Sequence, residues 1–167
     1  MTDSEIKDGA NDICEDCGAT ISEGKIGCRK MFEEVIAREF GDYRYGRIHR
    51  LTVDVYSLQH PEAYMRSGKS FAAHLTGVCA ALEYEDAPDI NQTVQRWLSA
   101  NPSINKPARL PQDRGALTIM YVHGAADAEE HTRRVREWAQ SAWDAWGEHR
   151  TLAKQLIDEA VANTVQQ

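Results

Sequence analysis

The sequence predicts an all-α helical bundle with a small cysteine-rich head at its N-terminal end. Three observations carry this expectation. Apolar residues recur at helical spacing from Cys28 onward, as in Phe71, Leu75, Val78 and Leu82. There is no convincing β-hairpin signal and no internal repeat. Cys14-Glu15-Asp16-Cys17-Gly18 is a Cys-x-x-Cys with glycine behind it, the tight turn that points two thiolates at one metal ion. Cys28 adds a third sulfur where a helix opens, so the head reads as a zinc knuckle.

The 167 residues, 42% of them hydrophobic, fit one domain with a real core. Residues 1–12 are acidic and polar and are expected to be a disordered tail. Residues 13–163 are expected to form a single helical domain, with 13–28 as the cysteine knuckle and 28–163 as helices. Gly18, Gly24 and Gly27 serve as turn residues of the knuckle.

The first helix carries Phe32, Val35, Ile36 and Phe40 on one stripe and stops at Gly41. The second spans 45–59 and ends before Pro61. Ile48, Leu51, Val55 and Leu58 form one stripe of it; His49, Val53, Tyr56 and His60 form another. A helix with two such stripes sits centrally in a bundle. A third helix fits 67–83, and a fourth fits 88–100, with Pro88 in its first turn and Ile90, Val94, Trp97 and Leu98 inward. Residues 101–116 hold Pro102, Pro107, Pro111 and Gly115 and form a long loop. A short helix over 117–123 follows, capped by Thr118 and broken at Gly124. A strong helix covers 126–146, with His131, Val135, Trp138, Ala142 and Trp146 on one side, and a last amphipathic helix covers 151–163. Trp138, Trp143 and Trp146 read as packing residues, His123 and His149 as surface or helix-end histidines, and Cys79 as a small buried hydrophobe.

A net charge of −7 opposes nucleic-acid binding, which needs a basic surface to displace counterions. No apolar run reaches the length of a membrane span, and the start, Met-Thr-Asp-Ser-Glu, does not resemble a signal peptide. A cytoplasmic, reducing location is therefore expected, where Cys-x-x-Cys favours metal or redox chemistry over a structural disulfide. No nucleophile elbow, phosphate loop or dinucleotide fingerprint is present.

The order of these motifs is similar to a family of small bacterial helical proteins of unknown function. The resemblance runs over roughly residues 14–150. It rests on the Cys-x-x-Cys-Gly head, Cys28 opening a helix, the stretch His49-Arg50-Leu51-Thr52-Val53-Asp54-Val55-Tyr56-Ser57-Leu58-Gln59-His60-Pro61, and Ala126 to His131 followed by the tryptophans. The stretch 49–61 is its most specific piece. It implies a helical protein with a cysteine-rich head and supplies no activity. Such relatives often carry a histidine between the second and third cysteines; residues 18–27 contain none.

A structural zinc needs a fourth ligand, and His49, His60, His74 and Cys79 are candidates. If the first two helices form an antiparallel hairpin, the end of the second lies beside the start of the first, which brings His60 to Cys28. His49 would then lie about three turns away, ~16 Å at 1.5 Å per residue. The expected zinc ligands are therefore Cys14, Cys17, Cys28 and His60. Against this, His60 also suits a plain helix-end position before Pro61.

His49, His74 and His131 fall on three different helices, each on or beside an apolar stripe. They form a possible second metal site inside the bundle, with Asp54 and Glu130 as supporting or ligating carboxylates. The simpler reading of each is a hydrogen-bonded core histidine, and Asp54 with Arg50 reads first as a helix-surface pair.

Three functions compete. One is a zinc-stapled module that binds a protein or small-molecule ligand. The second is a metal-dependent enzyme with its ion among His49, His74 and His131. The third is a redox or metal sensor using Cys14 and Cys17 reversibly.

Overall fold

The computed structural model describes residues 12–165. The expected disordered tail falls almost wholly outside these residues. Among the described residues the chain is helical, with a single isolated antiparallel bridge, Ile13 to Thr20, closing the head.

Helix α1 (Lys25–Gly41) is followed by the short α2 (Tyr43–Gly46), by α3 (His49–Gln59) and by a one-turn α4 (Pro61–Tyr64). Then come α5 (Gly68–Glu83), α6 (Ala87–Ser99), α7 (Ile119–His123), α8 (Ala128–Ala145) and α9 (Arg150–Val165). The caps explain the starts. The Ser67 hydroxyl and the Ser70 amide and side chain form a reciprocal capping box for α5. Asp127 accepts from the Glu130 amide at the start of α8. Pro88 sits in the first turn of α6.

Helix α3 is the axis of the bundle. It packs on α1, α5 and α8, and Leu51, Thr52 and every residue from Asp54 to Gln59 are buried. The two stripes expected of it both face protein. On the far side, α5 rests on α6 and α9. Trp138, Trp143 and Trp146 are buried, and Trp138 Nε1 donates to Gln59 Oε1 at 2.9 Å.

The structure departs from the expected helices and from the expected burial. The helix expected over 45–59 is two helices, with a break at Arg47 and Ile48. Asp42 caps the Arg44 amide, and α2 turns tightly back on α1. A Cβ at Gly46 would meet the Glu39 carbonyl oxygen at 2.7 Å, so the close approach requires glycine. Phe40, expected inward, is 75% exposed. Glu39 takes the inward position instead, on the line of Phe32 and Val35. His149, read as a surface or helix-end histidine, is buried beside Trp146.

The long connection before α7 contains no helix, but it is tied down. Gln59 Nε2 donates to the carbonyls of Arg114 and Leu117, both at 2.8 Å. The Ser141 hydroxyl accepts from the amides of Ala116 and Leu117. Among the described residues no helix is long and apolar enough to cross a membrane.

Candidate metal centre

The head is built on one turn. The Gly18 amide donates to the Cys14 carbonyl at 2.8 Å, and the Cys14 amide donates to the Ala19 carbonyl at 2.8 Å. Gly18 sits at φ +77°, a conformation side chains resist, so glycine lets the chain reverse behind Cys17. Helix α1 begins one turn earlier than expected, at Lys25, which places Cys28 in its first turn. The Lys25 ammonium pairs with Asp16 at 2.7 Å and braces the knuckle against the helix.

His60 arrives from the other end of the hairpin. It is the residue at which α3 stops, and α4 begins with Pro61 beside it. The antiparallel run of α1 and α3 brings its Nε2 to 3.5 Å from Cys28 Sγ and 3.6 Å from Cys14 Sγ. Cys17 Sγ lies 3.7 Å from Cys28 Sγ. The four residues are buried, and their ligand atoms all lie within 4.8 Å of one another. No cysteine is in a disulfide. Cys14, Cys17, Cys28 and His60 therefore form a closed set at metal-binding distance.

The surroundings orient the ring. His60 Nδ1 donates to the Tyr56 carbonyl at 2.8 Å, which turns Nε2 to the sulfurs, where it can ligate an ion once its own proton is displaced. The Tyr56 ring stacks on His60 at 3.9 Å and on Phe32 at 3.7 Å, and its hydroxyl donates to Cys28 Sγ at 3.7 Å. Tyr56 thus lies against the imidazole and is itself backed by Phe32.

The sulfurs share protons unevenly. Hydrogen bonds from Cys17 and Cys28 hold the Cys14 thiol far below the ordinary cysteine range. Hydrogen bonding to Cys14 and Cys17 holds the Cys28 thiol far above it. Burial opposes charge on His60, but its bonds to Cys14 and Cys17 outweigh that and push the imidazole up to about 9. The cluster forms one thiolate readily; a cation would displace the remaining protons. Cys79 lies apart, and burial pushes its thiol up to about 11. With metal bound, all four cysteines are expected to resist a thiol-reactive disulfide reagent at neutral pH. After chelation Cys14, the sulfur held as a thiolate, should react first while Cys79 stays silent, a difference read by mass spectrometry.

The three bundle histidines are distributed otherwise than expected. His49 Nδ1 and His131 Nε2 both meet the buried carboxylate of Glu39, at 2.7 and 2.8 Å. The Thr52 hydroxyl donates to the same carboxylate at 2.5 Å. His74 Nδ1 instead meets Asp54 at 2.8 Å, and Arg50 Nε donates to the other oxygen of Asp54 at 2.8 Å. Glu130 reaches none of the three; it accepts from the Ala126 amide and from Arg134 at the start of α8. Among the described residues, the head is the only group of three or more such side chains with converging ligand atoms. The structure thus joins His49 to His131, leaves His74 on Asp54, and puts Glu39 where Glu130 was expected. The signal for Glu39 was present: an acid at the spacing of Phe32 and Val35, on the buried side of α1.

The Asp54 cluster depends on a glycine. A Cβ at Gly77 of α5 would meet Asp54 Oδ2 at 2.0 Å. Gly77→Ala is therefore expected to cost about 1–3 kcal/mol through overpacking against a buried carboxylate, measured by urea denaturation.

The model of DUF5946, a family of unknown function, matches residues 12–147, and the chain belongs to that family. Comparison with curated proteins and with solved structures finds no match.

Proposed function

We propose that this protein is a zinc-stapled helical binding module of a reducing compartment, the cytoplasm. The observation that carries the zinc is the set of ligand separations. A tetrahedral ion with sulfur at ~2.3 Å and nitrogen at ~2.0 Å has its ligands ~3.8 Å apart for two sulfurs and ~3.6 Å for sulfur and nitrogen. The separations here are 3.7 Å between Cys17 and Cys28, and 3.5 and 3.6 Å from His60 to Cys28 and Cys14. Three thiols and an imidazole are also the donor chemistry zinc prefers.

The role follows from the ligand count. Four protein ligands leave no open position for water or substrate, so the ion would be structural and pin residues 13–24 to the hairpin of α1 and α3. Support for a binding module over an enzyme comes from the bundle. His49, His131 and His74 are each engaged by a buried carboxylate rather than by one another. Metal analysis of the purified chain tests the reading. One tightly held zinc per chain, released only with a strong chelator or on unfolding, is expected. A metal-free protein with a reversible disulfide would favour the sensor reading instead, and a second, exchangeable metal would favour the enzyme.

A further inference from the structure

At the end of α3 opposite the cysteine head a cleft opens between α3, the C-terminal half of α5, the first turn of α6 and the middle of α8. It encloses about 350 Å³. Three guanidinium groups, Arg47, Arg50 and Arg136, stand in its wall, with Leu51, Tyr84 and Asn91 among the other lining residues. This is an unexpected concentration of cations in a chain of net charge −7.

The arginines differ in how they are used. Arg50 is held by Asp54 at 2.8 Å. Arg44 and Arg133, on neighbouring surface, are held by Asp42 and Glu137 at 2.6 and 2.8 Å. Arg47 and Arg136 have no carboxylate within ion-pair distance among the described residues, yet both line this cleft and the shallow depression next to it. Asp54 engages Arg50 through the wall and Glu85 stands on the rim. Three cations against two carboxylates leave the cleft positive. Apolar side chains, Leu51 and Ala81 among them, supply the rest of the lining.

We infer that this cleft binds a small phosphomonoester with an apolar body, its phosphate held between Arg47 and Arg136 and its body against Leu51 and Tyr84. A guanidinium presents two parallel N–H donors that match two phosphate oxygens, and two unpaired ones match a dianion better than a monoanion. The volume is that of a small-ligand site. Free inorganic phosphate shares the chemistry of the head group but leaves the apolar lining uncovered. The inference gives the binding-module reading a ligand class and rests on it. It is separate from the metal centre, so zinc content measured on the same samples distinguishes a failure of the cleft from a failure of the zinc assignment.

The test is a titration of the full chain, as purified, with phenyl phosphate and separately with inorganic phosphate, followed by proton–nitrogen NMR that includes the arginine Nε signals. Saturable binding of phenyl phosphate with a Kd of about 1 mM or tighter is expected, at least tenfold tighter than inorganic phosphate. Arg47→Ala and Arg136→Ala should each weaken it about tenfold. Both side chains are exposed and unpaired, so these variants should fold, as circular dichroism would show. Arg133→Ala, which removes a cation already paired with Glu137, should change the affinity less than twofold. Three results would overturn the inference: no saturable binding, equal binding of the two phosphates, or binding indifferent to Arg47 and Arg136. Tighter binding of a single-stranded oligonucleotide, lost in the same two variants, would also overturn it by assigning the face to nucleic acid.

Discussion

Cys28→Ser is expected to abolish zinc binding and to lower the melting temperature by roughly 8–16 °C while leaving most of the helical circular dichroism in place. The size follows from linkage. Metal that binds only the folded chain, at a free concentration a thousandfold above its Kd, contributes about 4 kcal/mol. In a domain of this length each kcal/mol moves the midpoint by about 2–4 °C. The helical signal survives because the apolar contacts of α3, α5 and α8 do not pass through the head. What the head loses is its attachment: Cys14 and Cys17 reach the bundle through Cys28 and His60. A loss of packing alone would also destabilise the protein. Melts with and without added zinc separate the two cases, because zinc should raise the midpoint of the native chain after chelation and leave that of Cys28→Ser unmoved.

The second large effect is expected at Glu39. Its side chain is fully buried and takes hydrogen bonds from His49, Thr52 and His131. Three elements, α1, α3 and α8, meet at this one carboxylate. Glu39→Ala removes the shared acceptor, strands Thr52 and His131 in the core and leaves the part-exposed His49 without its partner, which is expected to cost about 3–5 kcal/mol in chemical denaturation. Glu39→Gln keeps the shape and one carbonyl acceptor and should cost distinctly less. Equal, small effects of the two substitutions would show that Glu39 does not organise the junction. His131 is the more sensitive imidazole of the pair, since its ring is wholly buried and its Nδ1 has no partner among the described residues.

The comparison of Glu39 with the cysteine head shows what a sequence makes readable. The head was legible because its chemistry is local. Cys14, Cys17 and Cys28 lie within one short segment, and hairpin geometry alone selects His60 from the other candidates. Two helix starts were legible for the same reason: Pro88 acts on its own first turn, and α5 begins one residue after the expected Ser67. The cap expected of Thr118 makes no side-chain bond, and the Asp127 cap of α8 was not read. Glu39 is a tertiary feature. An acid on the buried side of α1 has meaning only once His49, Thr52 and His131 are known to face it from two other helices. The pairing of His74 with Asp54 was likewise hidden, because it depends on the close approach that Gly77 permits. The break between α2 and α3 carried a signal, Gly46, but its reason is the proximity of the Glu39 carbonyl, which periodicity does not report. The inward side of α1 was misassigned by one residue, Phe40 for Glu39, because a large aromatic outweighs an acid in any apolar stripe.

The central claim is that Cys14, Cys17, Cys28 and His60 hold one zinc in a closed tetrahedral shell. X-ray absorption at the zinc edge, on the full chain as purified, tests it most directly. The expected first shell is three sulfurs at ~2.3 Å and one imidazole nitrogen at ~2.0 Å, with no oxygen ligand. In His60→Ala the nitrogen should be lost or replaced by a solvent oxygen while the sulfurs remain. A protein without zinc, or a shell of nitrogen and oxygen atoms only, would contradict the claim.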